Sequence, residues 1–404
     1  MNLVLYTHPA FLGSHSHQHF ARMLLRAYQR RGHTVELRQP AAVLRARVEG
    51  RLAKWAGYVD QYLIYPRQMR RQIESDPPGT LYVFCDQALG PLIPYAAHRP
   101  HVVHCHDLLA LRSALALVPQ NPTGWTGRIY QRYIRAGFQK ARHFISVSEK
   151  SRADLHEFGD VRPLTSEVVY NGLNHPYRRQ GAETAAAHLL RAGLPAPDGF
   201  LLHIGGGQWY KNTEGVVALY GAYAKQRLAS GLRVLPLWMI SPAPSASVQT
   251  LLDALPPEAR VRFFHGLDTD AIEALYSLAS VLLFPSHAEG FGWPIAEALA
   301  CGCPVITTAE APMTEVGGPH AHYLPRGAGG ADALVLWAEH GAGVICAVID
   351  RSPEERVQAA QVGIEWTARF DAAQAIENYL NIYAAVLGNP VANAGADGLE
   401  AGVG

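Results

Sequence analysis

The stretch from Phe284 to Thr308, FPSHAEGFGWPIAEALACGCPVITT, constrains this chain more than any other. The apolar run VLLFP predicts a strand that ends at Phe284, and CPVITT predicts another strand. Between them lies a helix, with Pro294 placed where proline suits a first turn. Two carboxylates, Glu289 and Glu297, stand eight residues apart around a Gly-Phe-Gly turn. Glu289 is therefore expected on the strand-to-helix loop and Glu297 on about the first helical turn. Gly290 and Gly292 let backbone approach a ligand closely, and bare amides at the helix start favour an anion such as phosphate. Two carboxylates beside bare amides suit a sugar attached to a nucleotide diphosphate.

The same segment resembles the EX7E signature of retaining glycosyltransferases of family 4, which have the GT-B fold. A bare E-x7-E pair also occurs on ordinary βαβ turns with surface glutamates. Here the flanking pattern is met too, at Pro285, Ser286, Glu289, Gly290, Phe291, Gly292, Pro294, Glu297, Ala298, Gly302, Pro304 and Val305. The resemblance implies an α/β protein of two Rossmann-like doubly wound domains facing a central cleft. Glu297 would then hydrogen-bond the donor ribose, and Glu289 would hold a hydroxyl of the donor sugar. Ser286 and the amides of Gly290, Phe291 and Gly292 would line the donor.

The 404 residues exceed one ordinary domain, and 49% hydrophobic content is ample for two cores. Alternating strand and helix patterns run from end to end, the mark of doubly wound sheets. LVLYT, TVELR, LYVFC, HVVHC, HFISVS and VVYNG read as strands of a first half, with a helix from about His17 to Arg31. FLLHIGGG, VLPLWMI, VRFFHG, SVLLFP and CPVITT read as those of a second. The expected organisation is an acceptor-binding domain over 1–172, a connection over 173–198, and a sugar-nucleotide-binding domain over 199–370. Residues 371–388 would form a helix crossing back to the first domain, and 389–404 a disordered tail.

No run of about 18 apolar residues stands out as a membrane span, and MNLVLYTHPAF reads as a strand without a signal peptide. Cys85, Cys105, Cys301, Cys303 and Cys346 read as reduced thiols of a cytoplasmic protein. Net charge is +1, yet residues 1–170 hold 22 Lys+Arg against 12 Asp+Glu. Much of that excess lies between Arg22 and Arg71, interleaved with Trp55, Tyr58, Tyr62 and Tyr65. The mixture suits peripheral contact with an anionic membrane, on its inner face, or a lipid-phosphate acceptor. It equally suits a solvated helical face whose aromatics pack inward. A nucleic-acid partner is not expected, since no recognition module appears.

HIGGGQWYKN supplies Gly205, Gly206, Gly207, Lys211 and Asn212, a glycine loop followed by a lysine and suited to a diphosphate. Family members usually carry an arginine five or six positions before that lysine, where this chain has Gly206 and Gly205. Lys211 alone is left to carry the leaving-group charge unless another arginine reaches in. HCHDL puts His106 and Asp107 at the carboxyl end of a strand, where open α/β sheets face their ligands. By resemblance His106 contacts the donor sugar or the acceptor, and Asp107 caps the next helix; a core histidine is the plainer alternative. SVSEKSRADL, with Ser148 near a helix cap, and YNGLN read as structural landmarks, as does Thr314-Glu315.

THPAFLGSHSHQHF contains His8, His15, His17 and His19. By resemblance its Gly13 approaches the donor phosphate, while His15 and His17 line the acceptor side. A metal is not expected here. Alternate helix positions diverge by about 200°, and no acidic partner sits nearby. Asp268-Thr269-Asp270 mimics a metal motif but precedes an amphipathic helix, so Asp268 reads as an N-cap. The expected activity is metal-independent, retaining hexosyl transfer from a nucleotide-diphosphate sugar to a saccharide or lipid-linked acceptor, without cofactor. A GT-B epimerase or phosphorylase, or a weakly catalytic sugar-nucleotide-binding subunit, stays open.

Overall fold

The computed structural model describes residues 1–12, 15–195, 198–327 and 330–388. Six strands form a first sheet: β1 (Asn2–Tyr6), β2 (Thr34–Arg38), β3 (Leu81–Phe84), β4 (His101–Cys105), β5 (His143–Ser146) and β6 (Thr165–Val168). Six more form a second: β7 (Leu201–Ile204), β8 (Leu237–Ile240), β9 (Val261–Phe264), β10 (Val281–Phe284), β11 (Val305–Thr308) and β12 (His322–Leu324). The orders are β2-β1-β3-β4-β5-β6 and β12-β11-β10-β7-β8-β9. Every pairing is parallel, from β1 on β2 to β8 on β9. The chain is therefore two doubly wound α/β domains.

In the first sheet, chain order reverses between β1 and β3; in the second it reverses between β7 and β10. Ligands bind outside the carboxyl ends of strands at such switch points. Strands β3 and β10 are apolar throughout, as suits strands covered on both faces: Leu81 to Phe84 and Val281 to Phe284 are fully buried.

β6 lies at TSEV, just before the VVYNG run that the pattern favours, and three-residue β12 escapes the pattern altogether. The polar stretch 173–198 is not bare linker. It contains the helix Ala182–Arg191, whose Ala185 and Leu189 are buried in the second domain's core. The helix Ala372–Val386 packs Ile376, Tyr379 and Tyr383 against Leu3, Leu5 and Leu24 of the first domain.

The helix Ala331–Ile349 is long and apolar enough, by composition, to cross a membrane, although Asp332, Glu339 and His340 keep it from being an unbroken apolar run. In this fold Trp337, Ala338, Ala342, Ile345 and Val348 pack into the second domain's core. The 389–404 tail falls outside the described residues.

Candidate active site

The loops after β7 and β10 leave adjacent strands at the second switch point, and they meet. Lys211 Nζ donates to Glu289 Oε1 at 2.8 Å, with both side chains largely buried. The ammonium also lies 4.8 Å from the Phe284 ring centroid. A buried ion pair is costly unless well bonded, and this one lies at the strand edge that faces ligands in such sheets. Asn212 adopts left-handed backbone (φ 53°), and its Oδ1 caps the helix Thr213–Ala229 through Gly215 N. Its Nδ2 donates to the Pro285 carbonyl at 2.9 Å, clamping the two loops together. His287 N donates to the Tyr210 carbonyl at 2.7 Å and adds a second clamp.

Beside Lys211 opens a cavity of about 910 Å³, walled by Gly205, Gly206, Ser241, Pro242, Phe264 and Pro294 among others. Among the described residues, Lys211 is the sole lysine or arginine on that wall. No arginine there stands in for the glycines at 205 and 206. Gly205 has a steric reason to be glycine, since a Cβ would lie 2.7 Å from His203 Nε2. Ser286 is fully buried, and its Oγ has no hydrogen-bond partner.

Gly292 (φ 101°) leads into the helix Trp293–Ala300. Glu297 therefore sits in the second turn, one turn later than expected, because the helix begins only at Trp293. It is buried, and Tyr276 OH donates to its Oε2 at 2.8 Å. Burial pushes its pKa up to about 7, against the lowering effects of Tyr276 and Lys211. The Phe291 ring points away from the cavity, into the core against Phe370 (centroids 5.4 Å).

Gly290 joins the two domains. A Cβ on it would lie 2.3 Å from the His106 carbonyl oxygen, so only glycine fits this approach. Its own carbonyl accepts from Ser148 Oγ at 2.8 Å and Ser151 Oγ at 3.2 Å. Ser151 Oγ also donates to the His106 carbonyl at 2.8 Å. Ser148 caps the helix Glu149–Glu157 as its pattern predicts. The amides of Glu149 and Lys150 reach across to the Glu315 carboxylate at 2.8 and 2.9 Å. That Ser148, Ser151 and Glu315 span the cleft could not be read from local pattern, because each looks like an ordinary cap or helix start.

His106 donates from Nε2 to the Cys85 carbonyl (2.9 Å), which leaves Nδ1 as the unprotonated nitrogen. Burial lowers its pKa to about 4, so it is neutral at pH 7. Asp107 Oδ1 accepts from Leu109 N at 3.0 Å, but Leu108, not Asp107, holds the N-cap position of the helix Leu109–Ala114, which has no side-chain cap bond.

His17 is near His106 (ring centroids 5.4 Å), whereas His19 points to solvent. Gly13 and the His15 side chain lie outside the described residues. The expectation of no acidic partner is overturned. Asp86, in the loop after β3, accepts from His8 Nε2 at 2.7 Å and lies 3.4 Å from His17 Nδ1. That partner is 69 positions from His17 in the chain, beyond local pattern, though its place just past a strand's carboxyl end marks it as ligand-facing. Asp268 is the N-cap its pattern predicts, accepting from Ala271 N at 2.9 Å.

Two family models account for both domains. Residues 17–172 match the glycosyl transferase 4-like domain, and residues 194–323 match glycosyl transferases group 1. Both halves of the chain thus match glycosyltransferase domain models. A D-inositol 3-phosphate glycosyltransferase of Corynebacterium aurimucosum is 24% identical over 70% of this chain and 66% of its own length. The lipopolysaccharide glucosyltransferase WaaG of Escherichia coli is 23% identical over 49% of this chain and 50% of its own. The chain thus spans from about half to two thirds of these relatives. Among solved structures, a Rickettsia africae glycosyltransferase superposes with a TM-score of 0.68 at 14% identity, over 96% and 99% of the two chains. Anabaena HepE, solved with UDP and glucose, gives 0.67 at 16% over 95% and 100%. These likenesses establish the GT-B fold of this glycosyltransferase-like chain.

Proposed function

We propose that the protein is a retaining hexosyltransferase that moves a sugar from a nucleotide-diphosphate sugar to a saccharide or lipid-linked acceptor, in cell-surface polysaccharide or glycolipid synthesis. The observation that carries this reading is the Lys211–Glu289 contact at the rim of the 910 Å³ cavity. An ammonium has three donors. One engages Glu289, and the other two are available to the diphosphate. The carboxylate that orients the sugar and the cation that receives the leaving-group charge are thus held as one unit. Backbone amides at the Gly290–Gly292 turn add to the anion site, and Glu297, still accepting from Tyr276, takes a ribose hydroxyl with its other oxygen.

In this reading the acceptor oxygen bonds to the anomeric carbon on the face from which the phosphate departs. The acceptor proton passes to the departing phosphate oxygen, and no enzyme nucleophile is required. Neutral His106, with Nδ1 free to accept, orients a sugar or acceptor hydroxyl. Lys211 and the amides balance the diphosphate without a divalent ion.

A surface of the first domain favours a lipid-linked acceptor and peripheral membrane contact on the cytoplasmic side. Leu52, Trp55, Leu63, Trp125 and Ile129 are exposed, Trp125 by 74%. Lys54, Arg67, Arg71, Arg128 and Arg132, close to them in the chain, are exposed too. The helices that carry them are joined by Tyr62 OH and Tyr130 OH at 2.6 Å. Tyr62 and Tyr65 pack inward while Trp55 points out.

The test is a sugar-nucleotide panel read by melting temperature and by donor turnover. One donor should raise the melting point, by about 2.7 kcal/mol of stabilisation at a hundred times its Kd, and should be hydrolysed slowly without acceptor. Stabilisation without any turnover, with or without acceptors, would make the chain a binding subunit instead.

A further inference from the structure

His8, His17 and Asp86 come from three segments: the loop after β1, the helix His15–Arg30, and the loop after β3. They meet at the switch point of the first sheet. His8 Nε2 is 2.7 Å and His17 Nδ1 3.4 Å from the same oxygen, Asp86 Oδ2, and the three ligand atoms all lie within 4.8 Å of one another. A tetrahedral ion with bonds of about 2.0–2.1 Å spaces its ligands at little more than 3 Å, so only small side-chain rotations are needed. Asp86 Oδ1 is occupied by Ala88 N at 3.1 Å, which orients Oδ2 toward the histidines. Gln18 Nε2 donates to the His8 carbonyl at 2.9 Å, tying the His8 loop to the helix that carries His17.

The carboxylate itself points the same way. Asp86 is 3% exposed, and among the described residues no lysine or arginine pairs with it. A buried anion needs a compensating positive charge. Two imidazoles can supply it by keeping a proton or by sharing a metal ion.

We propose that His8, His17 and Asp86 form a three-ligand site for a borderline divalent ion of the zinc class. Two imidazoles and one carboxylate fit such an ion, whereas calcium and magnesium require a cage of oxygens. His17 remains partly exposed, which gives the ion a way in. Three protein ligands leave a fourth position for water.

Tag-free full-length protein, stripped with chelator and dialysed, is titrated with Zn²⁺ by calorimetry and with Co²⁺ by visible absorption. The expected result is one equivalent bound, with proton release, a raised melting temperature and the absorption of four-coordinate Co²⁺. Magnesium should not compete. His17→Ala and Asp86→Asn should each weaken Zn²⁺ binding at least tenfold, while His19→Ala, altering an exposed neighbour, should bind as wild type. Stabilisation by the sugar nucleotide, which engages the other domain, reports whether each variant is folded; if Asp86→Asn is not, His17→Ala carries the comparison. Absence of stoichiometric Zn²⁺ binding, or equal binding by folded His17→Ala, overturns the site and shows that a proton holds the cluster. Either result leaves the donor reading to its own test.

Discussion

Lys211 donates to Glu289 across 2.8 Å, from loops 78 residues apart that leave neighbouring strands β7 and β10. In the proposed reaction the two act together. Lys211→Ala removes the charge that receives the leaving group and also strands a buried carboxylate. Turnover should fall roughly ten- to a thousandfold, the scale of losing one charge-stabilising donor. Glu289→Ala should depress turnover strongly as well, because it positions the reacting sugar. Their double variant should lose less than the two single losses combined, as groups in contact do. Steady-state kinetics of the three variants checks this; additive losses would separate the two roles.

Glu297 offers a pH signature. Its folded pKa is raised to about 7 from 4.5, so between those values the native state binds more protons than the unfolded chain. Stability from this group is therefore greatest at low pH and is lost as pH rises through 7. Glu297→Gln keeps an acceptor for Tyr276 and removes the loss, with a ceiling of roughly 3 kcal/mol. Melting curves of the variant and wild type should coincide below about pH 4.5 and diverge in the variant's favour above 7. Parallel curves across that range would refute the shifted carboxyl. Glu297→Ala should act on donor KM more than on kcat, since a ribose contact persists into the transition state.

Gly290 faces the His106 carbonyl so closely that alanine cannot fit without parting the domains. Gly290→Ala should also loosen the Ser148 and Ser151 bonds to its carbonyl. A misplacement near 1 Å costs about a hundredfold in turnover, and that is the expected loss, in kcat. A variant with wild-type kcat would show that this approach is not needed for catalysis.

What could be read in the chain depended on distance along it. Glu289, Lys211 and Asn212 were legible because glycines, prolines and adjoining strands mark their loops locally. Asp268 and Ser148 were legible because caps follow from the next few residues. Asp86 was invisible as the histidines' partner because β-strand topology, not spacing, brings it there. Gly290 reads as a ligand-approach glycine, and only the packed structure shows that His106 is what it approaches. Phe291 shows the converse: the motif marks the residue, yet its ring serves the core.

Chelation separates the donor site from the histidine cluster. In the proposed mechanism Lys211 and backbone amides balance the diphosphate, so exhaustive chelator treatment should leave transfer within about a few-fold of wild type, well short of the roughly ten- to thousandfold loss that follows removal of a charge-stabilising donor. Activity abolished by chelator and restored by manganese would overturn the metal-independent mechanism. The His8–His17–Asp86 ion is judged instead by binding, not by rate.

The exposed surface of the first domain makes the last prediction. Trp55 and Trp125 are 64% and 74% exposed, with Arg67, Arg71, Arg128 and Arg132 close to them in the chain. Amphipathic rings among cations settle at the headgroup level of an anionic bilayer, each cation adding about 1 kcal/mol near the surface. Vesicles with phosphatidylserine should therefore sediment the protein at low salt, and raising ionic strength should release it as the Debye length shrinks. The Arg67→Glu/Arg71→Glu double charge reversal should shift half-binding to much lower salt, by the loss of several kcal/mol. Trp55→Ala/Trp125→Ala should weaken binding while leaving the salt dependence in place, because the rings contribute area and not charge. Arg70, stacked on Tyr95 at 4.9 Å, should matter less than Arg67 and Arg71. If wild type fails to bind anionic vesicles at low salt, the surface has another use and the acceptor is soluble.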